Sequence, residues 1–306
     1  MEHHHGHHHH HHGDLSGTKL FFSVVLNIII TLAQFIGGIF SGSMALLSDA
    51  AHNLSDVMSL VIAYYAHRLS HRPHTPFQTF GFKRAEIVAA LFNASLLIAV
   101  SIYLIVESFE RLFHPQEIAS KWVMLLALLG IVVNGLSAWL LHRDSAHSLN
   151  MRSAYLHLLG DLMTSFAVLA GGLMIYRYGW TWIDPMLSIA ISLYLIRSSI
   201  GIVRESAGML MQFPPADIPL SRVLEIADEF DAIESLHHIH LWQLNEHSVF
   251  LESRINFKND LSISESGEIA ERLSHRLREI GIAHTTFQYE YGQNGNDKVP
   301  ESCLGH

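Results

Sequence analysis

Charge is scarce in this chain. Only 15% of its 306 residues are Asp, Glu, Lys or Arg, well under the roughly 25% usual in soluble domains. A wholly soluble protein is therefore a poor fit. Cysteine is scarcer still: Cys303 stands alone, so no disulfide can form within the chain. Basic residues are missing from the last third. Residues 205–306 hold 7 Lys and Arg against 17 Asp and Glu, whereas residues 1–204 hold 12 against 11. An acidic tail of this kind excludes the basic face that nucleic-acid binding needs and suits a domain that meets cations. Three catalytic signatures are absent as well. There is no H-E-x-x-H, no G-x-x-x-x-G-K-[ST] and no G-x-S-x-G, which speaks against a zinc protease, an ATPase and a serine hydrolase. No cleavable leader is expected, because the N-terminus is His-rich rather than basic and no small-residue cleavage site follows it.

Long apolar runs are what the first two thirds do contain. Six of them reach the roughly 20 residues that cross a bilayer core, at about 19–40, 44–66, 85–109, 121–141, 153–176 and 182–203. Breakers such as "SGS", "SHRPHTP", "FHPQ" and "YGWTW" separate them. One side of these spans would carry Lys19, Arg68, Arg72, Lys83, Arg84, Arg143, Arg152 and Arg204, and the other only Arg111, Lys121 and Arg177. The positive-inside rule then places both termini in the cytoplasm, as an even number of spans requires. The expected division is a His-rich disordered N-terminus over 1–17, a six-helix transmembrane domain over 18–206, a cytoplasmic α+β domain over 207–291 and a disordered end over 292–306.

The cytoplasmic segment reads helix, strand, strand, helix, strand. "IPLSRVLEIADEF" and "SESGEIAERLSHRLREI" have the helical period, while "SLHHIHLWQL", "SVFLESRINF" and "AHTTFQYEY" are strand-like. Strict alternation in the first strand would put His238 and His240 on one face and His237 on the other. The N-terminal tract "HHHGHHHHHHG" would hold Zn²⁺, Ni²⁺ or Cu²⁺ on neutral imidazoles. It reads equally as a native metal-collecting segment and as a purification tag.

Two ionisable pairs interrupt the apolar spans. His52 and Asp56 lie four residues apart in the second, and His157 and Asp161 repeat the spacing in the fifth. Residues at i and i+4 share one helical face. Two such faces opposed give two imidazoles and two carboxylates, a donor set that suits tetrahedral Zn²⁺. An Asp at the centre of a membrane helix costs about 2.5–3.5 kcal/mol on insertion scales, so such groups are rare and usually functional. Asp49, three residues before His52, is expected to accept the second imidazole N–H from outside the ligand set. Asn27 and Asn134 stand in the first and fourth spans, where they would bridge helices.

These motifs, with "GSMALLSDAAHNLSD", "FGFKRAE", "DPMLSIAIS", "HHIHLW" and "HTTFQYE", resemble the cation diffusion facilitator family over residues 18–291. The resemblance implies a homodimeric metal/proton antiporter with a ferredoxin-like cytoplasmic domain. It places the transport site on His52, Asp56, His157 and Asp161, the pattern of the zinc-transporting members. It also makes His237 and Glu290 candidate ligands of a regulatory Zn²⁺ in the tail. Arg254 and Gln288 stand where many members have histidine, and a guanidinium cannot ligate a metal. His238, His240 and His284 are the remaining candidates for a rebuilt tail site. In the loop after the second span, Thr75, Gln78 and Phe82 occupy positions where some members bind metal, which leaves His71 and His74 as loop candidates.

The reading is a multi-pass membrane protein that exports Zn²⁺, with Cd²⁺ or Co²⁺ as further cargo, in exchange for protons. Two other readings use the same residues: a membrane zinc sensor or scaffold without transport, and a membrane metalloenzyme. The enzyme would need an open water position on its metal, which four protein ligands close.

Overall fold

The computed structural model describes residues 13–70, 72, 75–142, 149–245 and 248–292. The His-rich segment before them, His71, His74 and the segment after Gly292 lie outside the described residues. Six long helices come first: α1 (Gly13–Ser41), α2 (Met44–Ser70), α3 (Ala85–Phe113), α4 (Ser120–His142), α5 (Leu149–Tyr178) and α6 (Ile183–Leu210). Helix α1 begins at Gly13, so residues 13–17, expected in the disordered segment, are helical. Four helices are long and apolar enough to cross a membrane among the described residues: α3, Ser120–Trp139 of α4, Leu158–Tyr178 of α5, and α6. Val25–Ser41 of α1 is a shorter apolar stretch. The chain divides into two compact units, Met1–Ile62 with Phe92–Gly201 and Ala63–Leu91 with Ile202–His306.

In the first unit, apolar side chains of α2, α4, α5 and α6 form the core, with Leu46, Val123, Ala127, Val168 and Leu195 buried. Lipid gives helices no hydrophobic reason to associate, so small residues and hydrogen bonds must hold them. Both are present. A Cβ on Gly37 of α1 would lie 2.0 Å from Leu126 Cδ1 of α4, so a larger residue there would force Leu126 to shift. Ser48 of α2 meets Ser188 of α6 at 2.8 Å, and Ser108 of α3 donates to Ser188 at 2.8 Å.

The turn between α1 and α2 shows how backbone groups are satisfied without water. Gly42 takes the left-handed conformation, with φ of 70°. Ser43 accepts the Leu46 N–H at 3.1 Å and its hydroxyl donates to Asp184, which also accepts the Met44 N–H at 2.6 Å. The first turn of α2 is thus capped by a carboxylate from α6. Arg111 of α3 donates to the Gly42 carbonyl at 2.6 Å. Between α5 and α6, Tyr178, Trp180 and Trp182 stack in series, as aromatic residues do at a membrane–water boundary.

The second unit holds α7 (Leu220–Asp228), β1 (Ile233–Asn245), β2 (Ser248–Phe257), α8 (Ile263–Glu279) and β3 (Ile282–Tyr291). This is the helix–strand–strand–helix–strand order read from the sequence. The sheet order is β1-β2-β3, with β1 antiparallel and β3 parallel to β2. Leu251, Ile255, Leu273, Leu277 and Ile282 lie at the centre of its core. Ser262 and Glu265 form a capping box at the start of α8, which satisfies two of the helix's orphan N–H groups.

Strict alternation fails at one place in β1. His237 pairs with Arg254 and His240 with Glu252, so three steps on β1 match two on β2. The extra residue is a bulge, with His238 at a φ of 51°. His237 and His240 therefore share a face, correcting the expected split between them. By register, Trp242, Phe250, Glu252, Arg254, His284, Gln288 and Glu290 lie on that same outer face.

Candidate metal centre

Helix α2 carries His52 and Asp56, and α5 carries Asp161 one turn beyond His157. His52 lies between the two carboxylates. Its Nδ1 is 3.5 Å from Asp56 Oδ2 and its Nε2 is 3.5 Å from Asp161 Oδ1. One donor atom from each of the three residues falls within 4.8 Å of the others. Among the described residues this is the one His/Cys/Asp/Glu group with such convergence. The side chain of His157 lies outside the described residues, although its position on α5 is i−4 from Asp161. Side-chain exposure grades across the group: none for Asp161, 17% for His52 and 29% for Asp56. The cluster is therefore closed at Asp161 and most open at Asp56. Imidazole nitrogen and carboxylate oxygen are the donors Zn²⁺ takes at about 2.0–2.2 Å, and small side-chain shifts would bring these three onto one ion.

Asp49 is tied to two other helices. Its oxygens accept from Gln34 Nε2 at 3.1 Å, Thr164 Oγ1 at 2.6 Å and Ser165 Oγ at 3.3 Å. Asn53 Nδ2 donates in turn to Gln34 Oε1 at 3.2 Å. Gln34, Thr164 and Ser165 are polar residues in apolar helices, and that was the only signal the sequence offered for them. Asn134 on α4 is buried, and neither amide atom meets a hydrogen-bond partner among the described residues.

In the tail, His237 and Glu290 are together, with Nε2 and Oε2 at 3.0 Å. Both are largely buried. The other Glu290 oxygen faces Arg254 Nη1 at 3.3 Å and accepts from Gln288 Nε2 at 3.4 Å. A guanidinium thus supplies the positive charge beside this carboxylate. His238 and His240 contact each other edge to face, with centroids 4.8 Å apart. His284 packs against Phe250 at 4.9 Å, and Phe250 also meets Trp242 and Phe80. His238, His240 and His284 therefore do not converge with His237 and Glu290. The loop candidates His71 and His74 lie outside the described residues. Thr75 and Gln78 there close a tight turn through paired backbone hydrogen bonds of 3.3 and 2.9 Å.

A helical membrane domain with a buried His/Asp cluster, followed by a separate αββαβ domain, is the class of protein these observations define. The chain belongs to the cation efflux family. The family model for the cation efflux transmembrane domain matches residues 20–211, and that for the cation efflux protein cytoplasmic domain matches residues 215–291. The chain is similar to the "Cadmium, cobalt and zinc/H(+)-K(+) antiporter" of Bacillus velezensis, 34% identical over 270 residues that cover 88% of this chain and 86% of that protein. It is similar to the "Metal cation efflux system protein CzcD" of Cupriavidus metallidurans, 34% identical over 85% of this chain and 82% of that protein. It is also similar to the "Zinc transporter ZitB" of Escherichia coli K12, 33% identical over 96% and 94% of the two chains.

Proposed function

We propose that this protein is a secondary transporter that exports Zn²⁺ from the cytoplasm in exchange for protons, and that it is not an enzyme. The observation that carries the reading is the convergence of His52 and Asp56 of α2 with Asp161 of α5. With His157 they make a four-donor transport site for Zn²⁺ as cargo. Cd²⁺ and Co²⁺ suit the same N and O donors, and the antiporter of Bacillus velezensis carries all three metals in its name. The ligands bind metal only when deprotonated, so loading releases protons and protonation releases metal. A site that must hold a dication on one side and protons on the other needs ionisable groups within the membrane. Alternating access about a fixed site completes the cycle.

In this reading α1–α6 are six membrane spans with both termini in the cytoplasm, bounded by lipid. The αββαβ tail is a ferredoxin-like domain that joins two copies into a homodimer, a role for which its family model is named. The Glu290 carboxylate, occupied by Arg254, leaves the tail with little call for a regulatory Zn²⁺.

Zinc flux into proteoliposomes tests the proposal. Wild-type protein is expected to move Zn²⁺ down an imposed pH gradient, and Asp161→Ala to abolish that flux. Flux that ignores the gradient would remove the antiport mechanism. Tight binding without flux would identify a sensor, and an unimpaired Asp161→Ala variant would remove the site.

A further inference from the structure

We infer that Asp49 and Thr164 form a clamp that fixes the spacing of α2 and α5 at the metal ligands and so sets the size of the ion they accept. The inference rests on His52, Asp56, His157 and Asp161 being the transport site. It assigns to Asp49 a positioning role through Thr164.

Asp49 precedes His52 by three residues, and Thr164 follows Asp161 by three. Each is about one turn from its ligand on the same side of its helix. The Thr164 hydroxyl has one proton and two acceptors in reach, Asp49 Oδ1 at 2.6 Å and the Asp161 carbonyl at 2.9 Å. The shorter contact, to Asp49, ties α2 to α5 one turn from the ligand residue on each helix. Gln34 adds α1, donating to Asp49 and accepting from Asn53, the neighbour of His52 in sequence. Ser165 supplies the third donor to the carboxylate. Gln34, Asp49, Asn53 and Ser165 are all fully buried. Hydroxyls and an amide converge on a carboxylate, whose oxygens in the ionised form are acceptors only. Helix α4 closes the back of the network at Gly130. A Cβ there would lie 2.8 Å from Gln34 Nε2 and 2.9 Å from Ser165 Oγ.

Zn²⁺ takes its ligands in a small tetrahedron. An ion with longer bonds, such as Cd²⁺, must spread the two ligand pairs and therefore α2 and α5. The clamp resists that spreading, so zinc is favoured by geometry as well as by donor type. Loosening the clamp should weaken zinc binding and leave the larger ion less affected.

The test measures transport of Zn²⁺ and Cd²⁺ in proteoliposomes by wild type, Thr164→Val, Thr164→Ser and Gly130→Ala. Thr164→Val keeps the side-chain shape and removes the hydroxyl. It is expected to raise the Zn²⁺ KM about tenfold, the low end of losses seen when a partner of a metal ligand is removed. The Cd²⁺ KM and both kcat values should change much less. Thr164→Ser, which keeps the hydroxyl, should restore the wild-type zinc-to-cadmium ratio. Gly130→Ala presses on Gln34 and Ser165 from the far side and should lower that ratio as Thr164→Val does, deciding the matter if the valine variant fails to fold. An unchanged ratio in both, or a serine variant as impaired as valine, overturns the clamp. Asp161→Ala run beside them separates the two ideas. If it is inactive while Thr164→Val keeps wild-type constants, the site stands and the clamp falls. Should it transport normally, the site itself falls.

Discussion

His52 sits between Asp56 and Asp161, and its chemistry sets what the cluster can select. Imidazole suits Zn²⁺, whereas carboxylate and water suit harder ions such as Mn²⁺. Exchange of His52 for Asp should therefore shift transport from Zn²⁺ toward Mn²⁺, read as a change in the ratio of the two KM values. Unchanged selectivity would count against His52 as a ligand. The motif that exposes this residue was legible because ionisable groups stand out in apolar helices. Gln34, Thr164 and Ser165 were not, since neutral polar residues are common in membrane helices and their partners are fixed only when helices pack. Asp49 lies between these cases: its proximity to His52 was legible in sequence, whereas its bonds to α1 and α5 were not.

Elements in this chain are positioned by small residues and by caps borrowed from other helices. Gly37 lets α1 approach Leu126 of α4. Gly37→Ala should destabilise the protein by about 1–3 kcal/mol, as overpacking does. Leu126→Ala in the same chain should recover part of the loss, both measured by thermal unfolding. Helix α8 gives a pH-dependent case. The Ser262 hydroxyl and N–H both donate to Glu265 and hold its carboxyl below the usual range. A depressed carboxyl pKa means that the ionised form is the one the folded state favours. The stabilisation is thus present above the ordinary Glu pKa of about 4.3, and is lost as pH falls through the lowered value. Hydrogen exchange in the first turn of α8 should be faster in Glu265→Ala than in wild type near neutral pH. The two should converge in acid, once the wild-type carboxyl is protonated. The order and type of the tail elements were readable from period alone. The bulge at His238 was not, because a register slip depends on how β1 pairs with β2 rather than on either strand.

Across the whole molecule, charge is divided between a near-neutral helical part and an acidic tail. The tail nevertheless carries its own cation at the His237–Glu290 pair, where Arg254 faces the carboxylate. A metal would have to displace that guanidinium or share its acceptor. Protein bearing Asp161→Ala and lacking only residues 1–12 should therefore bind no zinc tightly by calorimetry. Adding Arg254→His removes the fixed charge and places a third donor, opposite His237 in register, beside the Glu290 pair. That variant should gain a zinc site, and tight zinc binding without it would overturn the account of Arg254.

By itself the sequence determined that the chain is a helical membrane protein with an acidic α+β tail, and that two H-x-x-x-D pairs lie in its apolar spans. Hydrophobic run length, charge scarcity and helical period are local properties, and each survives whatever the helices later contact. Tertiary structure decided which donors meet. It brought His52 between Asp56 and Asp161, gave the oxygens of Asp49 to Gln34, Thr164 and Ser165, and set Arg254 against Glu290. These outcomes depend on close approach between segments far apart in the chain, set by residues such as Gly37, Gly130 and the β1 bulge, and no local pattern encodes an approach.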